Sequence, residues 1–339
     1  MKKEITSFEQ FRGEERSEIS DFSPEIRFVM DVAKKARTAA LTKFGQYQGA
    51  ARIDEVSHDE SFNVDAPVEE IISQMHKKAW DEGKMYGFVT EEQNMQLPNE
   101  NPEWIIEYDP VDGSRTAQSG DEQACFVAFG IKGDKKDDAR MKDIEFGVTL
   151  AIKENKLFVT DSTGVYEVFE DGSVKPMSVA ENISDDLSHN ALLFEVFSTN
   201  MEHMGKAIAP LSAAVRWNMV YPCGSYMALS VIRQGKIHAD IRGRLFKDFG
   251  DQLDIVKKDT KVVKFLAPMD IGAQFEMIQK TGGVVTDAYG NSLDNAVVWQ
   301  KDEDGKRKLG GSISWVAAPT PELHRKTMEK LEEGCSSLR

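Results

Sequence analysis

The feature that most constrains the fold is a run of four apolar, strand-like segments in the first half of the chain. They span residues 124–131, 145–152, 157–159 and 165–169, and short polar stretches around Gly133, Asn155 and Gly172 follow three of them. Short segments of this kind, rich in β-branched and aromatic residues and separated by turn residues, are typical of hairpin-linked strands. We therefore predict an antiparallel sheet in this part of the chain.

Two helical patterns precede these strands. The first begins at Ser23-Pro24, keeps its apolar residues on one face and ends near Gly45, and the second follows Asp65 and stops at Gly83. Two shorter strand patterns come next, at residues 88–90 and 104–106. Helices followed by a run of strands predict an α+β first domain, which we place at residues 1–180.

The second half of the chain alternates between strand and helix patterns after a polar stretch at residues 176–189. Strands are predicted at residues 191–197, 215–221, 236–241, 262–266, 284–286 and 313–317, and helices at residues 200–209, 225–233, 271–280 and 321–333. This alternation predicts an α/β second domain over residues 181–339.

The charge of the chain limits its partners. Its 42 basic and 57 acidic residues give a formal net charge of −15, which argues against nucleic acid and anionic membranes as partners. A small anionic ligand is compatible with this charge if a bound cation reverses it locally. The three cysteines form no Cys-x-x-Cys pair and predict neither a zinc site nor a disulfide framework. The N-terminus lacks the apolar stretch of a signal peptide, and no segment approaches the apolar length of a membrane span, so the expected location is cytoplasmic.

The strongest chemical signal is the hexapeptide Asp109-Pro110-Val111-Asp112-Gly113-Ser114, which stands behind the apolar residues 104–106. Proline fixes one backbone angle and glycine permits a conformation closed to other residues, so a tight turn is predicted on which both carboxylates converge. Carboxylate oxygens and a free backbone carbonyl suit a hard divalent cation such as Mg²⁺.

Further acids stand at the ends of predicted elements. Thr90-Glu91-Glu92 follows a short strand, and Asp65 and Asp270 each begin a helix. Each has an ordinary alternative interpretation: a solvated glutamate pair on the surface, or an aspartate that only caps its helix. Cys223-Gly224-Ser225 precedes another helix, whose N-terminus could meet a substrate or only water.

In order and spacing these segments resemble the Mg²⁺-dependent, lithium-sensitive phosphatase superfamily that includes fructose-1,6-bisphosphatase, and the inositol monophosphatase family in particular. The matching segments are residues 64–69, 90–92, 109–114, 224–229 and 270–287. The resemblance implies a five-layered α/β/α/β/α sandwich of the sugar phosphatase type, usually dimeric. It implies a metal-dependent phosphoric monoester hydrolase that acts on a small phosphorylated polyol or sugar.

The resemblance also implies roles for individual residues. The implied catalytic residues are Asp65, Glu91 and Ser114. The implied ligands of two or three Mg²⁺ ions are Asp65, Glu91, Asp109, the carbonyl of Val111, Asp112 and Asp270. The implied substrate-binding residues are Gly113, Ser114, Arg115, Gly224 and Ser225. In this scheme Asp109 bridges two cations, and Ser114 paired with Asp65 orients the attacking water and helps to deprotonate it.

One stretch leaves the substrate open. Residues 241–268 are more numerous than their counterpart in inositol monophosphatases and carry seven basic and four acidic residues, Arg242 and Arg244 among them. They predict either a site for a second phosphate or a bulky anion, or a solvated loop or dimer contact. The alternative enzyme is thus a bisphosphate phosphatase, of the fructose-1,6-bisphosphatase or 3′,5′-bisphosphate nucleotidase type. A non-catalytic relative that binds a phosphorylated metabolite is the alternative of another class.

Overall fold

The computed structural model describes most of the chain. The described residues are 16–46, 52–53, 60–61, 63–91, 93–120, 122–179, 183–194, 201–220, 223–249, 266–301, 307–311 and 313–339. Glu92, most of the predicted strand at residues 262–266 and residues 250–265 of the basic stretch lie outside this set, so the predictions made for them are not addressed further.

The described residues form eight α-helices. These are α1 (Pro24–Leu41), α2 (Asp65–Asp81), α3 (Ser114–Ser119), α4 (Met201–Ala214), α5 (Gly224–Gln234), α6 (Arg242–Phe249), α7 (Pro268–Lys280) and α8 (Pro321–Ser336). Short 3-10 helices occupy Ile19–Asp21, Gly133–Lys135, Met141–Asp143 and Leu187–His189. Proline at the first helical position begins α1, α7 and α8, because its missing N–H would have no partner there in any case. The sequence pattern did not predict α6.

Most strands of the first half join one seven-stranded sheet. After a small hairpin of β1 (Arg52–Ile53) and β2 (Glu60–Ser61), the strands are β3 (Tyr86–Thr90), β4 (Trp104–Asp112), β5 (Cys125–Lys132), β6 (Asp138–Arg140), β7 (Ile144–Ala151), β8 (Lys156–Asp161), β9 (Gly164–Val168) and β10 (Val174–Pro176). The sheet has the order β10-β9-β8-β7-β5-β4-β3. Its pairs are antiparallel as predicted, except that β3 and β4 run parallel. The long connection over residues 91–103 makes this possible, because parallel neighbours need a crossover.

The second half forms a five-stranded sheet and most of a smaller one. Its strands are β11 (Ala191–Phe194), β12 (Trp217–Val220), β13 (Ile237–Asp240), β14 (Val284–Thr286), β15 (Val297–Lys301), β16 (Arg307–Leu309) and β17 (Trp315–Ala318). The larger sheet has the order β12-β11-β13-β17-β14, and β6 of the first half joins β15 and β16 in the smaller one. The division at residue 180 stays a prediction.

Three apolar clusters lie between the helices and the two larger sheets. The first lies between helices α1 and α2 and one face of the seven-stranded sheet. The second joins the opposite face of that sheet to α5, α7 and the five-stranded sheet. The third lies under α4, α6 and α8 on the outer side of the five-stranded sheet. This order of helices and sheets confirms the predicted mixed α/β class and is consistent with a five-layered sandwich. None of the described helices is long and apolar enough to cross a membrane.

Candidate active site

The acidic hexapeptide lies mostly within a strand, which corrects the predicted turn. Strand β4 continues through Asp112, and its register with β5 shifts between Asp109 and Asp112. Pro110 has no N–H to give to the neighbouring strand, so the chain bulges at this point. The turn comes one residue later, at Gly113, whose φ of 84° lies in the left-handed region. A methyl group at Gly113 would come within 2.8 Å of Thr116 Oγ1, so both the conformation and the space require glycine.

Ser114, the first residue of α3, contacts Asp65 across the sequence. Its hydroxyl donates a hydrogen bond of 2.8 Å to Asp65 Oδ1, and the Val111 carbonyl oxygen lies 2.7 Å from the same hydroxyl. Asp65 is 6% exposed and is the first residue of α2, with no cap hydrogen bond from a side chain at that end. Asp65 therefore lies inside the helix rather than before it, and its carboxylate contacts Ser114. The structure brings Asp65, Val111 and Ser114 together, as the implied site requires.

Asp112 is held from the second half of the chain. The backbone N–H and the hydroxyl of Ser225, at the start of α5, donate to Asp112 Oδ2 over 2.6 and 2.5 Å, and Cys223 Sγ lies 3.3 Å from the same oxygen. Burial, assisted by the neighbouring Cys125 and by the charge of Asp112, raises the pKa of the Cys223 thiol well above its usual value, so the thiol is a neutral donor. Asp112 is thus fixed by three donors on one oxygen. No described residue donates to its other oxygen, Oδ1.

The resemblance implied that Gly224 and Ser225 bind substrate, and it did not predict the contact between Ser225 and Asp112. Ser225 is fully buried, and the structure gives its two donors to Asp112. A methyl group at Gly224 would lie 2.5 Å from Leu266 Cδ1 and 4.0 Å from Ile271 Cγ2, so α5 and α7 approach each other closely here. The role of both residues in binding substrate stays a prediction, as does that of Arg115, which follows Ser114 in α3.

Glu91, Asp109 and Asp270 lie around the same sheet end. Strands β3 and β4 are parallel with Thr90 opposite Tyr108, so Glu91 leaves β3 at the end of the sheet where Asp109 stands. Asp109 is buried. Asp270 is the third residue of α7, and its Oδ2 accepts the N–H of Ala267 over 2.7 Å, so it helps to cap the helix as its alternative interpretation suggests. The implied acids thus lie directly after β3, in the last residues of β4 and in the first turns of α2 and α7.

The donor atoms of these acids are of the type that a divalent cation prefers, but the acids are not already arranged around one point. Among the residues that the structure describes, no three His, Cys, Asp or Glu side chains are gathered tightly enough to form a ready-made metal site. The donor set consists of carboxylate oxygens and one backbone carbonyl, as Mg²⁺ prefers. Several of the carboxylates are buried, which is costly without a compensating charge. The residues present thus suit the group that the resemblance implies.

Two further acids belong to this region and were missed. Glu69 is buried one helical turn after Asp65, and its carboxylate accepts a hydrogen bond from Gln93. Its spacing of four residues from Asp65 on a helix was a readable signal. Glu107 is buried in β4, and burial together with the negative charge of Asp270 raises its pKa well above the usual value. An acid that interrupts an apolar strand two residues before Asp109, on the same face, was also readable.

The basic stretch is partly folded into the protein. Arg242 and Arg244 belong to α6 and are each 2% exposed. Arg242 binds Asp240, with its Nε 2.9 Å from Oδ1, and Arg244 donates to the Ala288 carbonyl over 2.8 Å and pairs with Glu332. Arg242 and Arg244 are therefore neither part of a solvated loop nor an exposed anion site. The partners of the two arginines lie on β13, on α8 and in the segment after β14. Sequence spacing does not reveal these contacts.

The fold is that of the inositol monophosphatases. Three solved structures illustrate it: the extragenic suppressor protein SuhB from Bartonella henselae, an IMPase from Thermotoga maritima, and the MJ0109 gene product, named an inositol monophosphatase–fructose 1,6-bisphosphatase. Their TM-scores are 0.65, 0.64 and 0.61, their sequence identities 16%, 13% and 16%, and they cover 92%, 94% and 91% of this chain and 100% of their own.

No protein-family model and no curated protein matches the sequence. At such low identity the solved structures establish the fold alone. At this level they confirm the resemblance to the inositol monophosphatase family that the sequence predicts.

Proposed function

We propose that the chain is a Mg²⁺-dependent phosphomonoesterase that hydrolyses a small phosphorylated polyol or sugar, as the names of its structural neighbours suggest. The observation that carries the proposal is the 2.8 Å hydrogen bond between Ser114 and Asp65. It joins a hydroxyl to a buried carboxylate at the end of the strand that also holds Asp109 and Asp112. A surface acid cluster without a catalytic task has no need of such a pair.

The residues of the chain divide the work as follows. Asp109, Asp112, Asp270, Glu91 and the carbonyl of Val111 would hold two cations, and Asp65 with Glu91 a third. Cations bound there would acidify a water molecule and offset the charge of the phosphate. The Ser114 hydroxyl has two acceptors within reach, Asp65 Oδ1 and the Val111 carbonyl oxygen. With its hydrogen directed to Asp65, the lone pairs of Oγ would be available to accept a hydrogen bond from that water. Asp65, behind Ser114, is placed to receive a proton through the hydroxyl.

The position of Asp112 depends on the second half of the chain. Ser225 and Cys223 contact one of its oxygens, Oδ2, and we propose that the other oxygen binds a cation. Arg242 and Arg244 already pair with Asp240 and Glu332, so these two arginines give no support for a site that binds a second phosphate. We favour a monophosphate as the substrate and expect a homodimer, as the family resemblance implies.

Phosphate release tests the proposal. The purified chain is incubated with Mg²⁺ and a panel of phosphorylated polyols, sugars and nucleotides, including bisphosphates, with a chelator as the negative control. We expect Mg²⁺-dependent turnover of a monophosphate, its loss in Asp109→Asn, and a decrease in kcat of about 10²–10⁴-fold in Ser114→Ala. Ser119→Ala is the matched control, because Ser119 ends the same helix and only donates to the Arg115 carbonyl.

The proposal has clear failures. A folded protein that releases no phosphate from any member of the panel would refute the activity and favour the non-catalytic alternative. Preferential turnover of bisphosphates would replace the monophosphate as substrate and leave the catalytic residues as assigned. Equal activity of Ser114→Ala and Ser119→Ala would remove the pair from the mechanism.

A further inference from the structure

Glu107 is a buried acid for which the proposed mechanism has no role. It lies in the middle of β4 and is 1% exposed. Its Oε2 has no hydrogen-bond donor among the described residues. Buried carboxyl groups are nearly always hydrogen-bonded, because an unsatisfied polar atom away from water destabilises the fold. A buried carboxyl oxygen without a donor in a central strand therefore needs an explanation.

The strand directs Glu107 to the side of the sheet where Asp109 lies. Side chains alternate along a strand, and Ile106 and Tyr108 belong to the apolar cluster under α1 and α2. Ile105 belongs to the cluster on the opposite face, so Glu107 and Asp109 share that opposite face with it. Glu107 thus faces the layer that contains α5 and α7.

The first turns of α7 cover this position. Phe129 of β5 stands directly opposite Glu107 in the sheet. A methyl group at Gly272 would lie only 2.4 Å from Phe129 Cε1, so α7 presses on the sheet beside Glu107. Asp270 lies two residues before Gly272 in the same helix, and its charge acts on Glu107. Glu107 is therefore enclosed by the strand that carries Asp109 and the helix turn that carries Asp270.

We propose that Glu107 is a further ligand of the cation centre, which binds a divalent ion together with Asp270 from the sheet side. This inference rests on the proposed function, because it requires that centre. The Cα atoms of residues 107 and 109 are about 7 Å apart along a strand, and glutamate has one methylene more than aspartate with which to reach back toward the Asp109 carboxylate. The ion supplies the partner that Oε2 lacks. The described residues contain no tightly gathered group of three such side chains, so these acids would have to rotate in order to bind the ion together.

Mn²⁺ binding to the full chain tests the inference without substrate. Mn²⁺ is titrated by calorimetry, and free Mn²⁺ is counted by its electron paramagnetic resonance signal. Two variants are compared with the wild type: Glu107→Leu, which fills the site with apolar volume, and Glu107→Gln, which keeps the shape if leucine prevents folding. We expect either variant to lose one bound ion per chain or to bind it about tenfold or more weakly.

The matched control is Glu276→Gln. Glu276 is also a buried glutamate, it lies in the same helix as Asp270, and it pairs with Lys280 over 2.7 Å rather than with the site. It should bind Mn²⁺ like the wild type. Thermal unfolding with and without Mn²⁺ gives a second readout, in which the rise caused by Mn²⁺ should be smaller in the Glu107 variants than in Glu276→Gln.

The outcomes separate this inference from the proposed function. Wild-type stoichiometry and affinity in a folded Glu107 variant, with phosphate release by the wild type intact, would overturn the ligand role of Glu107 alone. A wild type that binds no Mn²⁺ and releases no phosphate would overturn both.

Discussion

Replacing Ser225 with alanine tests whether the second half of the chain sets the geometry of the cation centre. The change removes the 2.5 Å bond from the hydroxyl to Asp112 Oδ2 and keeps the 2.6 Å bond from the backbone N–H. A hydrogen bond to a charged group contributes about 1.5–3 kcal/mol. Asp112 would then hold its orientation less firmly. We expect Mg²⁺ to activate the variant about 10–100-fold more weakly, because tenfold in affinity corresponds to roughly 1.4 kcal/mol.

The assay is the Mg²⁺ concentration for half-maximal phosphate release, together with the Kd for Mn²⁺ by calorimetry. At saturating Mg²⁺ the variant should recover most of its kcat, because neither Ser114 nor Asp65 is disturbed. Ser230→Ala is the control: Ser230 is buried in the same helix, and its hydroxyl donates to the Tyr226 carbonyl over 3.1 Å, away from the acids. If both variants require the same Mg²⁺ concentration as the wild type, Ser225 does not position a ligand and the reasoning is wrong.

Three further predictions concern the turn, the ion and the core. Gly113→Ala should lose about 1–2 kcal/mol of stability and most activity, measured by urea unfolding and turnover, because its φ of 84° strains any side chain; unchanged stability would contradict this. Ca²⁺ alone should not support turnover, since its looser coordination misplaces the reacting groups; full activity with Ca²⁺ would contradict this. Burial lowers the pKa of His76 from 6.5 to about 3, although the Tyr86 carbonyl opposes this. Below pH 6.5 the unfolded state binds a proton that the folded state does not. The free energy of unfolding should therefore decrease by roughly 1 kcal/mol for each unit by which the pH is lowered from 6.5 to 3. The decrease should be smaller in His76→Gln. If the free energy of unfolding, measured with urea, depended on pH in the same way in both proteins, the assignment of this effect to His76 would be wrong.

The sequence predicted the elements whose pattern is local. The helices from Pro24 and behind Asp65 and the hairpin strands of the first half lie where periodicity placed them. Strand β4 was predicted too short, because proline and glycine suggested a turn where the chain makes a bulge inside a sheet. Helix α6 was missed because its arginines looked solvated. Their partners, such as Glu332, lie far away in sequence, and no local rule identifies them.

The candidate site shows the same limit. The pair of Ser114 and Asp65 was implied by family resemblance, and the structure contains it. The sequence could not show that Ser225 contacts Asp112, because the two are 113 residues apart and each also has an ordinary local interpretation. Glu107 was overlooked for a different reason, because it lies within a strand that was read as an apolar core element. The strand period of two nevertheless places this acid on the same face as Asp109.

The surroundings of the acids explain why they differ in what they need from a cation. Asp112 accepts N–H and O–H donors at the start of α5, and Asp270 lies in the first turn of α7 and accepts the Ala267 N–H. The start of a helix favours negative charge through its free N–H groups and its dipole, so both carboxylates have donors that stabilise their charge. Glu107 lies in the middle of β4, and no described residue donates a hydrogen bond to its Oε2. In the proposed centre, the helix termini would thus orient Asp112 and Asp270, whereas an ion would be the partner that Glu107 Oε2 lacks.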